Sequence, residues 1–97
     1  MSEINLIATI PVPAEALATA SALLRAYGEV VRAEPGNLRF EAYVEPDTGA
    51  LVVVERYADA DAFQAHLSDP ANAEFNGRLA DVLGGGGSSL QMLEPLA

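Results

Sequence analysis

The chain has no cysteine, no lysine, no tryptophan and only one histidine, His66. Without cysteine, disulfides and thiolate metal sites are excluded. With one imidazole, a metal site would have to be built from converging carboxylates, so no metal is expected. All positive side-chain charge rests on five arginines against 14 aspartates and glutamates, a net charge of −9. That balance opposes a phosphate backbone, which recruits clustered cations, and so excludes nucleic acid and anionic membrane surfaces as partners. No apolar stretch approaches the roughly 20 residues that span a bilayer. The opening Met1-Ser2-Glu3-Ile4 shows no basic region followed by an apolar run, and the expectation is a cytoplasmic protein. At 97 residues the chain reads as one domain over 1–97. A domain of that size buries only about 60–65% of the surface its unfolded chain exposes, so association of subunits is expected to supplement the core.

Residues 4–10 are apolar and β-branched, with Ile4, Leu6, Ala8 and Ile10 on one face. Pro11 and Pro13 close that strand. Residues 14–34 switch to helical spacing, with a stripe of Leu17, Ala20, Leu24, Tyr27 and Val31; Gly28 marks a place of close packing, and Pro35-Gly36 stops the helix. Residues 38–45 alternate, with Leu38, Phe40, Ala42 and Val44 facing one way and Arg39, Glu41, Tyr43 and Glu45 the other. A turn at Pro46-Asp47-Thr48-Gly49 leads into a strand over 50–57. Asp59 caps a short helix over 60–67, and Asp69-Pro70 opens a third helix to about Leu83, supported by Glu74 and Arg78. The glycines at 84–87 lead into a strand over 90–94, not into a helix, and no lysine accompanies them; they read as a flexible connection instead of a phosphate loop. The order β-α-β-β-α-α-β predicts an α+β, ferredoxin-like split βαβ with a four-stranded antiparallel sheet and helices on one face. Ile7, Val52 and Val54 point to the opposite face, which the chain has no helix to cover. A homodimer with two sheets face to face follows.

Two readings stand beside each residue that could carry chemistry. Glu55 shares a face with Leu51, Val53 and Tyr57; it is either ion-paired, with Arg39 or with an arginine of a second subunit, or a pocket acid tuned by apolar surroundings. His66 is either a packed, hydrogen-bonded histidine or a general acid/base. The aromatics Tyr27, Tyr43, Tyr57, Phe40, Phe63 and Phe75 either pack the core and interface or line a pocket for a flat ligand. Asn37, after Pro35-Gly36, is either a turn residue or a donor to a bound oxygen.

Two segments carry a family resemblance: Glu34-Pro-Gly-Asn-Leu-Arg-Phe-Glu41, and Glu55-Arg-Tyr57 followed by Ala62-Phe63 and His66. They resemble the helix-to-strand and strand-to-helix junctions of the antibiotic biosynthesis monooxygenase family of dimeric α/β barrels, and the resemblance runs over nearly the whole chain. It implies a cofactor-independent monooxygenase, using no metal, flavin or haem, that acts with dioxygen on a quinol or aromatic polyketide-like phenol. On that resemblance His66 is the proton acceptor, Glu55 orients or pairs with it, and Tyr57 contacts the substrate oxygen, with Asn37, Phe40, Tyr43, Phe63 and Phe75 around the substrate. Tyr57 departs from a tryptophan common in the family. The haem-degrading branch places a histidine in the third helix, where this chain has Phe75 and Asn76. A non-catalytic dimeric module binding an apolar metabolite is the second reading; the third is a proton-shuttling isomerase, since a similar isomerase of a phosphorylated autoinducer dione shares Gly36-Asn-Leu-Arg-Phe40 and the tyrosine.

Overall fold

The computed structural model describes residues 2–96; Met1 and Ala97, included in the single-domain reading, lie outside the described residues. Strand β1 (Ile4–Ile10) leads through a 3-10 turn (Ala14–Ala16) into helix α1 (Leu17–Arg32). Strands β2 (Asn37–Val44) and β3 (Leu51–Tyr57) form a hairpin, helices α2 (Ala60–Ser68) and α3 (Pro70–Leu83) follow, and β4 (Ser89–Leu93) ends the order. The sheet runs β2-β3-β1-β4 with every neighbouring pair antiparallel, the strand order of a ferredoxin-like fold. Among the described residues no helix is long and apolar enough to cross a membrane.

Alternation decides which side of the sheet is buried. Leu6, Ala8 and Ile10 of β1 and Leu51, Val53, Glu55 and Tyr57 of β3 all lie under the helices. The α1 stripe packs on them through Ala20, Leu24, Tyr27 and Val31. Gly28 allows that helix to close on β2: a Cβ there would stand 3.3 Å from the Phe40 ring and 3.1 Å from the Arg32 guanidinium. Arg32 in turn donates to the Phe40 carbonyl at 2.7 Å. Asp59 caps α2 by accepting from the Ala62 amide at 2.8 Å, and Asp69 caps α3 by accepting from Ala71 at 2.9 Å. Gly84, at φ 74, ends α3 in the left-handed region that favours glycine.

Strand β2 corrects the simple alternation. A bulge between Asn37 and Arg39 leaves Leu38 without a partner on β3, so this leucine turns outward and is 52% exposed. Only Phe40 of the expected inward set is buried; Ala42 and Val44 lie on the sheet's edge beyond the helices. Beyond the bulge the register is regular, with Phe40 opposite Glu55 and Arg39 opposite Arg56 on the face away from Glu55. Arg39 therefore pairs with Glu41 at 2.7 Å, and the expected Arg39–Glu55 pair is not formed. Ile7, Val52 and Val54 occupy the helix-free face at intermediate exposure.

Candidate functional site

Three elements converge beneath the sheet at the end near the β2 bulge. Glu55 comes from β3, where the register sets it between Leu6 of β1 and Phe40 of β2. It is 7% exposed, and its one strong partner is the Tyr57 hydroxyl, which donates to Glu55 Oε1 at 2.7 Å. His66 comes from the last turn of α2 and is 6% exposed. Its Nδ1 lies 3.1 and 3.2 Å from the two oxygens of Glu34, and its Nε2 lies 4.0 Å from Glu55 Oε1. Glu34 stands in the turn after α1, where its amide donates to the Val31 carbonyl and its carbonyl accepts from Asn37. The result is a row of side chains, Glu34, His66, Glu55 and Tyr57, held by the turn after α1, the last turn of α2 and one central strand.

That turn is pressed onto α2 through Gly36. A Cβ at Gly36 would collide with the Cβ of Ala62, and the Gly36 carbonyl accepts from the Ala58 amide at 2.9 Å. Only a residue without a side chain lets the Glu34 turn come close enough to meet His66.

The row borders a cavity of about 90 Å³. Glu55 and His66 line it with Phe40, Phe63, Phe75 and Tyr27, and the exposed Leu67 and Leu90 stand at its rim. Tyr27 stacks on Phe75 with ring centroids 4.2 Å apart and planes within 5°, and meets Phe40 edge-on at 6.0 Å. Its hydroxyl donates to Asn72 Oδ1 at 3.0 Å, and Asn72 and Asn76 complete the polar lining on the α3 side.

Burial sets the electrostatics. The Glu55 carboxyl is pushed above the usual carboxylate range by desolvation; the Tyr57 hydrogen bond and His66 pull it back in part, and the nearby Glu34 charge adds to the rise. The Tyr57 phenol is raised by burial first and then by the Glu55 charge, so it stays a hydrogen-bond donor. Tyr27 is raised in the same way, by burial and then by Glu34 and Glu55. Among the described residues no group of three or more His, Cys, Asp or Glu is arranged to hold a metal ion.

Of the residues singled out in the sequence, Glu55, His66, Phe40, Phe63 and Phe75 come together around this cavity. Tyr57 is fully buried behind Glu55 with its hydroxyl engaged there, so it acts on the cavity only through that carboxyl. Tyr43 lies on the opposite face of the sheet, 52% exposed, donating to Glu41 at 3.1 Å. Asn37 spans the β2 bulge, donating to the Arg39 carbonyl at 3.1 Å, as the turn reading of this residue implies. Neither reaches the cavity. Tyr27, weighed in the sequence as either a packing aromatic or a pocket lining, also borders the cavity; sequence reasoning missed Glu34, Asn72 and Asn76. For Glu34 a signal existed: an acid at a helix C-terminus opposes the helix dipole, so another contact must hold it there.

The sequence profile of the antibiotic biosynthesis monooxygenase family matches residues 4–78, well over half of the chain. No functionally curated protein matches the sequence. Among solved structures, Rv0793 of Mycobacterium tuberculosis is similar over 99% of this chain and 97% of its own, with 28% identity and a TM-score of 0.88. PA3566 of Pseudomonas aeruginosa shares 24% identity over 100% of this chain and 97% of its own, with a TM-score of 0.86. A structure named antibiotic biosynthesis monooxygenase superposes at a TM-score of 0.85 and 20% identity, covering 97% of this chain and 99% of its own. The last two likenesses speak to the fold alone. The matched profile, the strand order and the two quoted junctions agree, and the chain belongs to the antibiotic biosynthesis monooxygenase family.

Proposed function

We propose that the protein is a homodimeric, cofactor-independent monooxygenase acting with dioxygen on an electron-rich phenol of the quinol or aromatic polyketide kind. The observation that carries this reading is the row Glu34–His66–Glu55–Tyr57 at the wall of an aromatic-lined cavity. A deprotonated hydroquinone is itself the reductant, so the protein's part is to take a proton, exclude water and hold the ring. The overall reaction balances without a further reductant: a hydroquinone and dioxygen give a hydroxyquinone and water. His66 is the proton acceptor, buried enough to work away from bulk solvent. Glu55 faces it across 4.0 Å, and Tyr57 holds Glu55 from behind.

Lining chemistry favours this over the isomerase of a phosphorylated dione. None of the five arginines lines the cavity, and two carboxylates flank its histidine. A phosphate there would meet like charge with no cation to offset it. The space is also smaller than the roughly 150 Å³ that encloses a benzene ring, so a substrate ring has to project between the rim leucines, Leu67 and Leu90. The second subunit belongs to the proposal because the sheet face without helices carries Ile7, Val52 and Val54 at intermediate exposure, and among the described residues no helix packs over them.

The test is oxygen uptake by metal-free protein with hydroquinone and with a polycyclic phenol. One dioxygen consumed per quinol is expected, and His66→Ala should lower the rate by about 100-fold or more while anaerobic binding persists. Ligand binding without uptake for any phenol would leave a binding module in place of the enzyme. Unchanged uptake in His66→Ala would remove the histidine from the chemistry.

A further inference from the structure

Glu34 and Glu55 flank the two nitrogens of the His66 ring, and they cannot play the same part. A carboxylate only accepts hydrogen bonds, so the 3.1 and 3.2 Å contacts of Nδ1 with Glu34 put the ring hydrogen on Nδ1. In the neutral ring Nε2 then carries the lone pair, and it is the nitrogen that faces Glu55. The 4.0 Å between Nε2 and Glu55 Oε1 is too long for a direct hydrogen bond. It is, however, the span that one oxygen atom bridges when it sits about 2.8 Å from each side. Both residues line the cavity, so a ligand oxygen can reach that point.

The chemistry of the two walls differs. Nε2 accepts. Glu55 is wedged between Leu6 and Phe40, buried, and close to the negative Glu34, all of which favour its uncharged acid form, a hydrogen-bond donor. A hydroxyl group is the ligand that donates on one side and accepts on the other. We propose that His66 Nε2 and the Glu55 carboxyl form a two-point seat for a single phenolic hydroxyl, Glu55 donating and His66 accepting. Glu34 is the positioning residue that fixes the histidine's role, and Tyr57 holds the Glu55 carboxyl in place by donating to it. The seat rests on the phenol-oxygenase reading and adds which protein atoms meet the reacting oxygen and in what state. When the phenol ionises, its O–H bond breaks, the hydrogen joins Nε2, and the electron pair stays on the oxygen. The resulting phenolate keeps the Glu55 hydrogen bond, and the imidazolium keeps the Glu34 carboxylate at Nδ1.

With one histidine in the chain, ¹⁵N-histidine labelling gives a single ring to observe. In the unliganded protein Nδ1 should appear protonated and Nε2 bare; hydroquinone added without oxygen should move the Nε2 resonance and spare Nδ1. Glu34→Gln, able to donate or accept, should lose the single tautomer. Glu55→Gln keeps an N–H donor and should bind hydroquinone within about threefold of the parent, whereas Glu55→Leu should weaken it about tenfold or more. A bare Nδ1 in the parent protein overturns the seat, and so does Glu55→Gln binding as poorly as Glu55→Leu, since the carboxylate itself would then be required. Failure of hydroquinone to bind overturns it as well. Oxygen uptake separates the two ideas. The expected binding pattern without uptake sinks the oxygenase and keeps the seat, and uptake without that pattern does the reverse.

Discussion

Glu55 has leucine and phenylalanine on the strands at either side, and that placement fixes how stability depends on pH. Burial raises its carboxyl above the ordinary value of 4.5, with Tyr57 and His66 pulling against the rise and Glu34 adding to it. The folded chain therefore holds this proton more tightly than the unfolded chain. Such a group contributes stability that is fully present below 4.5 and is lost as pH rises through its folded value. Glu55→Gln removes the titration while keeping the acceptor for Tyr57. At pH 7 to 8 it should raise stability by on the order of 1 kcal/mol, several degrees in Tm for a domain of this size. The advantage should shrink toward pH 4, because the parent's Glu55 is then largely protonated in the unfolded chain as well. Paired thermal melts of the two proteins cancel the other titrating groups, and a difference that grows as pH falls would contradict the argument. That Glu55 faces inward was legible from the alternation of Leu51, Val53, Glu55 and Tyr57. Its relation to Arg39 depends on the register of two strands, which no local pattern states: Phe40 stands opposite Glu55, so the alternation that turns Phe40 inward turns Arg39 to the other face. The Glu34–His66 pair was hidden for a different reason. Its members lie 32 positions apart and meet only because two separately coded elements dock.

The elements that carry the site are short and depend on their ends. Helix α2 has nine residues, too few to be stable alone, and Asp59 is its cap. Asp59→Ala should cost about 1 kcal/mol, read as a lowered denaturation midpoint. Gly36 matters differently, since its carbonyl bonds the α2 side of the chain and its missing Cβ admits Ala62. Gly36→Ala forces the Glu34 turn off α2 and should cost about 1–3 kcal/mol through overpacking. The same change should separate Glu34 from His66, so the histidine ring would lose its fixed tautomer even in molecules that remain folded. A Gly36→Ala protein with parental stability and an unaltered histidine spectrum would show that the close approach is not required. Caps, turns and the Asp69-Pro70 start were readable because each is a local residue preference. The docking of a turn on a helix was not, since nothing in Glu34-Pro35-Gly36 specifies which helix it will touch.

At the scale of the molecule, a net charge of −9 and an uncovered sheet face pull in opposite directions. Two copies repel through their charge and attract through the apolar surface of Ile7, Val52 and Val54, so association should strengthen with salt. Raising ionic strength from 0.1 to 1 M shortens the screening length from about 10 to about 3 Å and removes most of the repulsion. The apolar attraction is not screened. Light scattering should therefore give twice the 10.1 kDa chain mass, with a dimer that tightens as salt is added. Val54 is the residue to change: it lies opposite Ile7 on β1 and Glu41 on β2, away from the cavity on the other side of the sheet. Val54→Asp adds a carboxylate to each copy where the two faces meet, so that desolvation and like charge both oppose contact. The variant should scatter as a 10.1 kDa monomer with the circular dichroism of the parent. A dimer that survives Val54→Asp, or that loosens as salt rises, would mean that ion pairs on some other surface hold the copies together.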